Sequence, residues 1–326
     1  METDKIARQK DFLAQGFAGL FSAFLYLSYA LSFAFLVPVQ HVFQKRGLKR
    51  GLVVGCIALV TIALGQVGRL SELKNLDPRA LASGLVPPFL LLTAMAFLNA
   101  KTGRFGSVSK ILSSAFLISL IAAPFVVKAT ENAALIAALK AYVVETFEIS
   151  GAEANPAELH AAVDASILVL RSAFSAFILW IIAGNWWLGA WTAAKSTEKE
   201  TGTPSPEAET LRISNIHVPG FLLWPTLASW FGLFLVLVTG TQGLLAMAAW
   251  NLCLWTASFY AVQGIGIIWH FSEQFKAGRL IRLFVPLSVL LIFVAPAASV
   301  IVFTSLPILG ITEVWLPYRT LKGALK

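Results

Sequence analysis

Thr256, Tyr260, Gln263 and His270 stand at i, i+4, i+7 and i+14 along one apolar stretch, Ala249 to Phe271. At 100° per residue this spacing gathers the four onto a single helix face, while Asn251 and Ser258, seven apart, mark a second stripe. The chemistry on offer is hydrogen bonding by hydroxyl, carboxamide and imidazole groups, suited either to gripping a small polar solute or to tying helices together. A second locus centres on Arg171, the only Lys or Arg well inside an apolar run. On a helix it shares an arc of about 80° with Asp164, Ser175 and Asn185. Arg171 can pair with Asp164 two turns away, snorkel to an interface, or meet an anionic ligand. For Asn251 and Gln263, helix-to-helix bonding and solute contact both stay open. The candidate ligand-binding set is therefore Arg171, Ser175, Asn251, Thr256, Tyr260 and Gln263.

Catalysis has little to stand on. The sequence holds no H-E-x-x-H, no G-x-S-x-G and no paired intramembrane aspartates, and His41, His160, His217 and His270 lie on different segments. Gly264-x-Gly266 is followed by Trp269 where a dinucleotide fingerprint needs glycine, and it sits inside a span. Cys56 and Cys253 also lie within spans and have no metal-ligand spacing, so they read as small buried hydrophobes. No cofactor, no metal and no enzymatic activity are expected. No Walker sequence is present either, so any ATP-driven step needs a separate subunit.

The elements that must position these residues are membrane helices. Of 326 residues 57% are hydrophobic and 13% charged, against roughly 25% charged in soluble domains. Apolar runs of 18 and more match the length that about 30 Å of hydrocarbon demands. The expected fold is all-α: a polytopic transmembrane bundle of 8–10 crossings, some short or kinked, with one amphipathic outer helix, the whole of 1–326 forming a single transmembrane domain. The formal charge of +8 does not point to nucleic acid, because the basic residues sit in short loops and form no stripe.

The run from Asp11 to Val37 is either one tilted helix or two short ones turning near Ser28 to Ser32. No cleavage signal follows it, so it is read as a retained span. Gly51 to Val67 opens with Gly51-x-x-x-Gly55, which admits a close neighbour. Leu81 to Leu98 carries Pro87 and Pro88, which should kink or break it. Ser107 to Val127 is the next span. The segment 129–164 is acidic, with Leu135, Ile136, Leu139, Val143 and Phe147 at helical spacing, so it reads as an extracytoplasmic helix on the membrane surface or over a cavity mouth. Asn155-Pro156-x-Glu158 has the form of an N-cap, first-turn proline and capping-box glutamate, starting a helix that runs into the span Ala165 to Ala193. Its far end carries Trp186, Trp187 and Trp191, an interfacial belt. The polar stretch 195–212, within the connection 195–218, reads as a flexible cytoplasmic loop. Gly220 to Val238 and the opening stretch follow, joined by a tight turn. The run Leu283 to Leu316, broken by Pro296 and Pro307, is expected as a hairpin of two short crossings turning near Ala295 to Ser299.

Segments 38–50, 99–110, 195–218 and 270–283 hold 13 Lys or Arg, whereas 67–80, 128–164 and 240–242 hold 5 over a similar length. The positive-inside rule assigns the first set to the cytoplasm, with both termini also inside if both terminal runs are hairpins.

Several positions carry a resemblance: His217, Pro219 and Trp224; Asn251 with Tyr260-Ala-Val-Gln263-Gly264; and the ending Gly310-Ile-Thr-Glu313-Val-Trp315-x-x-x-Arg319. In these the chain resembles the YybS-like family of multi-pass bacterial membrane proteins, with Glu313 where the family usually has Asp. That family is distantly similar to the S components of energy-coupling-factor transporters, which capture a small solute and dock on shared ATPase and transmembrane coupling subunits. The resemblance implies a bacterial cytoplasmic (inner) membrane location, solute binding and transport, and docking through Ala14-x-x-x-Ala18 on the first helix. The alternative expectation is a scaffold or assembly protein that recruits partners through its basic cytoplasmic loops.

Overall fold

The computed structural model describes residues 2–72, 78–101, 106–149, 155–274 and 296–319. Among them there is no strand, and the elements are helices: α1 (Glu2–Leu27), α2 (Leu36–Arg46), α3 (Leu48–Glu72), α4 (Pro78–Asn99), α5 (Ser107–Glu131), α6 (Ala133–Ile149), α7 (Pro156–Thr201), α8 (Pro206–Thr210), α9 (Leu223–Thr239), α10 (Leu244–Gln274) and α11 (Pro296–Thr312). Among the described residues five segments are long and apolar enough to cross a bilayer: Leu48–Arg69, Ser107–Glu131, Pro156–Thr201, Gly220–Thr239 and Leu244–Gln274. Shorter apolar helices cover Phe12–Leu27 and Gly84–Asn99. The all-α membrane reading therefore stands. The residues gather into two compact units, Met1–Ala123 with Phe177–Ala208 and Pro124–Ala176 with Glu209–Lys326.

In the first unit the N-terminal run is a hairpin, so the two-helix alternative holds. α1 ends at Leu27, and a turn through Tyr29, whose φ is 57°, leads into α2. The Ser22 hydroxyl, fully buried, donates to the Phe35 carbonyl at 2.5 Å and fastens the return. The small-residue spacing of α3 is used as expected: a side chain at Gly51 would collide with the Phe43 ring of α2, and Gly55 faces Leu92 of α4. Gly19 gives α1 the same close approach to Ile57. Of the two expected outcomes, kink or break, the break does not occur: α4 runs helically through both prolines. Pro88 has no N–H for the carbonyl four residues back, and the Tyr26 hydroxyl donates to that Gly84 carbonyl instead, at 3.0 Å.

The predicted loop at 195–218 is also corrected. Helix α7 continues to Thr201 and α8 occupies Pro206–Thr210. Residues 195–201 contain no breaker before Gly202, Lys195 pairs with Glu198 at 2.7 Å within the turn, and Lys45 of α2 reaches Ser196 at 2.8 Å and Glu200 at 2.5 Å. Local polarity suggested a coil, but these bonds favour a helix.

At its other end α7 begins where the capping residues placed it, with the Asn155 side chain accepting from the Ala157 N–H at 3.0 Å. Its 46 residues extend about 69 Å, more than twice a bilayer's hydrocarbon thickness. The acidic segment is α6, preceded by Asn132, whose side chain caps the Leu135 N–H at 3.1 Å. α6 buries none of its residues.

In the second unit α10 packs against α9 and α11. Gly264 lies against the Leu306 carbonyl and Gly310 against the Tyr260 carbonyl, so α11 runs antiparallel to α10. That direction corrects the hairpin expected for 283–316, which would have sent α11 parallel to α10 after a turn at Pro296. Instead the Pro296 end lies toward the Gln274 end of α10. The remainder of that run, 283–295, falls outside the described residues.

Candidate functional site

The interior face of α10 is the polar stripe expected from the sequence, and most of it is satisfied by backbone and side chains of neighbouring helices. The Asn251 carboxamide oxygen accepts from the Ser175 N–H at 2.9 Å, and its nitrogen donates to the Met247 carbonyl at 2.8 Å. The Thr256 hydroxyl meets that of Ser229 on α9 at 3.0 Å. Gln263 bridges two segments: its oxygen accepts from the Val218 N–H at 2.6 Å and its nitrogen donates to the Gly310 carbonyl at 2.9 Å. Tyr260 is fully buried, with its hydroxyl beside Thr226. His270 lies near the Gln274 end of α10 and is half-buried.

Asn251, Thr256 and Gln263 are therefore spread over two faces of α10, with Ser175 meeting Asn251 from α7, and each is bonded to a neighbouring segment. Lipid would leave such groups unpaired, which explains both their inward turn and their use as ties. Gln263→Ala would orphan one buried N–H and one carbonyl, costing about 1–3 kcal/mol. A drop in the melting temperature of the purified protein, rather than a change confined to uptake, is the expected result.

The residues on the α7 arc separate as well. Arg171 bonds Glu131 at 3.1 Å and not Asp164, which is taken by Lys140 at 2.7 Å. Asn185 donates to the Phe33 carbonyl at 2.6 Å within the first unit. Arg171 lines a cavity. This space, about 430 Å³, is bounded by Leu168, Arg171 and Ser172 of α7, Met247 and Trp250 of α10, and the turn at Gly240 to Gly243. Gly240 and Gly243, with φ of 64° and 81°, allow the turn to close tightly between α9 and α10. In the first unit Ala14 is exposed and Ala18 half-buried on α1.

A feature present in the motifs but not weighed as a site lies at the other end of α10. Arg319 and Glu313 form a two-point ion pair, Nε to Oε1 at 2.6 Å and Nη2 to Oε2 at 2.5 Å, with both side chains 5% exposed. The same guanidinium donates to the Ser214 carbonyl at 2.6 Å and the Ile216 carbonyl at 3.0 Å, and lies 3.2 Å from His217 Nδ1. An arginine can only donate, so Nδ1 must accept and the ring proton resides on Nε2. Burial, and after it the Arg319 charge, hold His217 below the usual histidine range, with Glu313 acting in the opposite sense. Six residues separate Glu313 from Arg319, a spacing with no helical meaning, so only the presence of both charges near an apolar run hinted at the pair.

Comparisons of the chain with known protein families, with curated proteins and with solved structures find no match.

Proposed function

We propose that the chain is an integral protein of the bacterial cytoplasmic membrane that binds a small solute and helps carry it across, in the manner of an S component. The observation that supports this most is the Arg171 cavity: about 430 Å³, within the roughly 300–1,000 Å³ range of small-molecule sites. Apolar residues and Trp250 provide its body, and one cation and a turn of small residues provide its polar end. Charge asymmetry assigns the turn at 240–243 to the outer side, where a solute would be captured. Energy would come from separate ATPase and coupling subunits, with the exposed Ala14 face of α1 as their contact. The N-terminal hairpin fits a cytoplasmic N-terminus.

Native mass spectrometry of gently extracted protein tests the reading. The expected spectrum shows an added small-molecule mass that disappears in Met247→Trp, a substitution that fills the cavity. A scaffold, the second reading, is favoured by the number of polar groups spent on helix-to-helix ties. It would give instead a co-purifying protein and a bare chain mass.

A further inference from the structure

The Arg171–Glu131 pair is unequal in a way that specifies the solute. Among the described residues Arg171 is the only charged one lining the cavity, and its side chain is 27% exposed, whereas Glu131 is 56% exposed and is not among the lining residues. Glu131 is also the last residue of α5, where the negative end of the helix dipole disfavours a carboxylate. Its position is therefore maintained largely by Arg171. The bond to Glu131 uses one guanidinium nitrogen, Nη2, out of a group with five N–H donors. A cation facing a mostly apolar space requires a counter-ion, and the one present is the more solvated, more weakly held member of its pair.

We propose that the cavity takes a solute with one oxyanion group on an apolar body, and that Glu131 is a resident counter-ion that this group displaces from Arg171. The inference rests on the cavity reading given above. The solute's oxyanion replaces one carboxylate–guanidinium bond with another while its apolar part covers Trp250, Met247 and Leu168. Glu131 moves into water, which accepts it at little cost because it is already more than half exposed. Displacement also frees the end of α5 from α7, while Lys140–Asp164 still ties α6 to α7. The carboxylates of Glu145, Glu148 and Glu158 are on exposed helix faces, where salt screens them over about 8 Å at physiological strength.

The test needs no knowledge of the natural solute. In full-length protein carrying Cys56→Ser and Cys253→Ala, a Ser172→Cys thiol in the cavity wall is treated at physiological salt with two methanethiosulfonates, one bearing a sulfonate and one a trimethylammonium group. The sulfonate reagent is expected to react faster. Glu131→Gln should raise the sulfonate-to-ammonium rate ratio by about tenfold, the lower end of charge-focusing effects in clefts. Arg171→Gln should erase the preference and Arg171→Lys should keep it, which separates charge from damage to the fold. Thr241→Cys, on the opposite wall, serves as a second reporter. A ratio that neither Glu131→Gln nor Arg171→Gln moves would overturn the oxyanion assignment while leaving the cavity intact. Failure of both reagents to label either position would overturn the cavity reading itself.

Discussion

Arg319→Ala is expected to cost about 3–5 kcal/mol and to deplete folded protein from the membrane, because it leaves the Glu313 carboxylate uncompensated in a site where both side chains are 5% exposed. It also removes the donors to the Ser214 and Ile216 carbonyls, so the segment before α9 loses its tie to the end of α11. Glu313→Gln should be milder, since the amide oxygen can still accept while the guanidinium keeps its two backbone carbonyls. Arg319→Lys should fail nearly as badly as alanine, because an ammonium cannot reproduce the two-point geometry. The same site sets a pH dependence. Folded His217 titrates below its unfolded value of about 6.5, so the unfolded chain binds the proton more readily. Its contribution is whole above about pH 6.5 and is lost as pH falls through the lower, folded value. Thermal melts of wild type from pH 7.5 to 5 should show an acid-side loss that His217→Gln reduces, as protonation would place a second cation 3.2 Å from Arg319 Nη2.

Gly310→Val should separate α11 from α10. A side-chain carbon at Gly310 would overlap the Tyr260 carbonyl, and one at Gly264 the Leu306 carbonyl, and neither obstacle is the tip of a flexible side chain. Relief requires the helix backbones to move apart, which also breaks the Gln263 bond to Gly310. The expected loss exceeds the roughly 1–3 kcal/mol of ordinary overpacking. Gly310→Ala should show the same direction to a smaller degree. Gly232, on α9, has open space around it and makes a matched control: Gly232→Ala should leave the melting temperature nearly unchanged. Equal behaviour of Gly310→Ala and Gly232→Ala in a fluorescence-detected melting assay would contradict the packing described.

Those two sites also show what the residue order reveals and what it conceals. Polar groups on α10 had to face protein because hydrocarbon accepts no unpaired dipole, and Asn251, Thr256, Tyr260 and Gln263 are all buried. The start of α7 and the N-terminal hairpin followed from capping and turn chemistry that act over a few residues. Partner identity was less accessible. Periodicity along α7 placed Asp164 and Arg171 on one side of one helix, but it carries no information about Glu131, 40 residues away, or Lys140 on α6. Composition made 195–201 look like coil, although a lysine 155 residues before Glu200 anchors it as helix. The direction of α11 was equally opaque, because hydropathy gives the length of an apolar helix and not its sense.

Helix α6 contributes no side chain to the protein interior, yet Leu135, Leu139, Tyr142 and Phe147 remain on its surface. Such a helix draws its support from an amphiphilic interface more than from its own chain. The choice between a lipid nanodisc and a harsh micelle is then an experimental variable for this segment above all others. Amide deuteration should report α6 as protected in the first and labile in the second, while α10 stays protected in both.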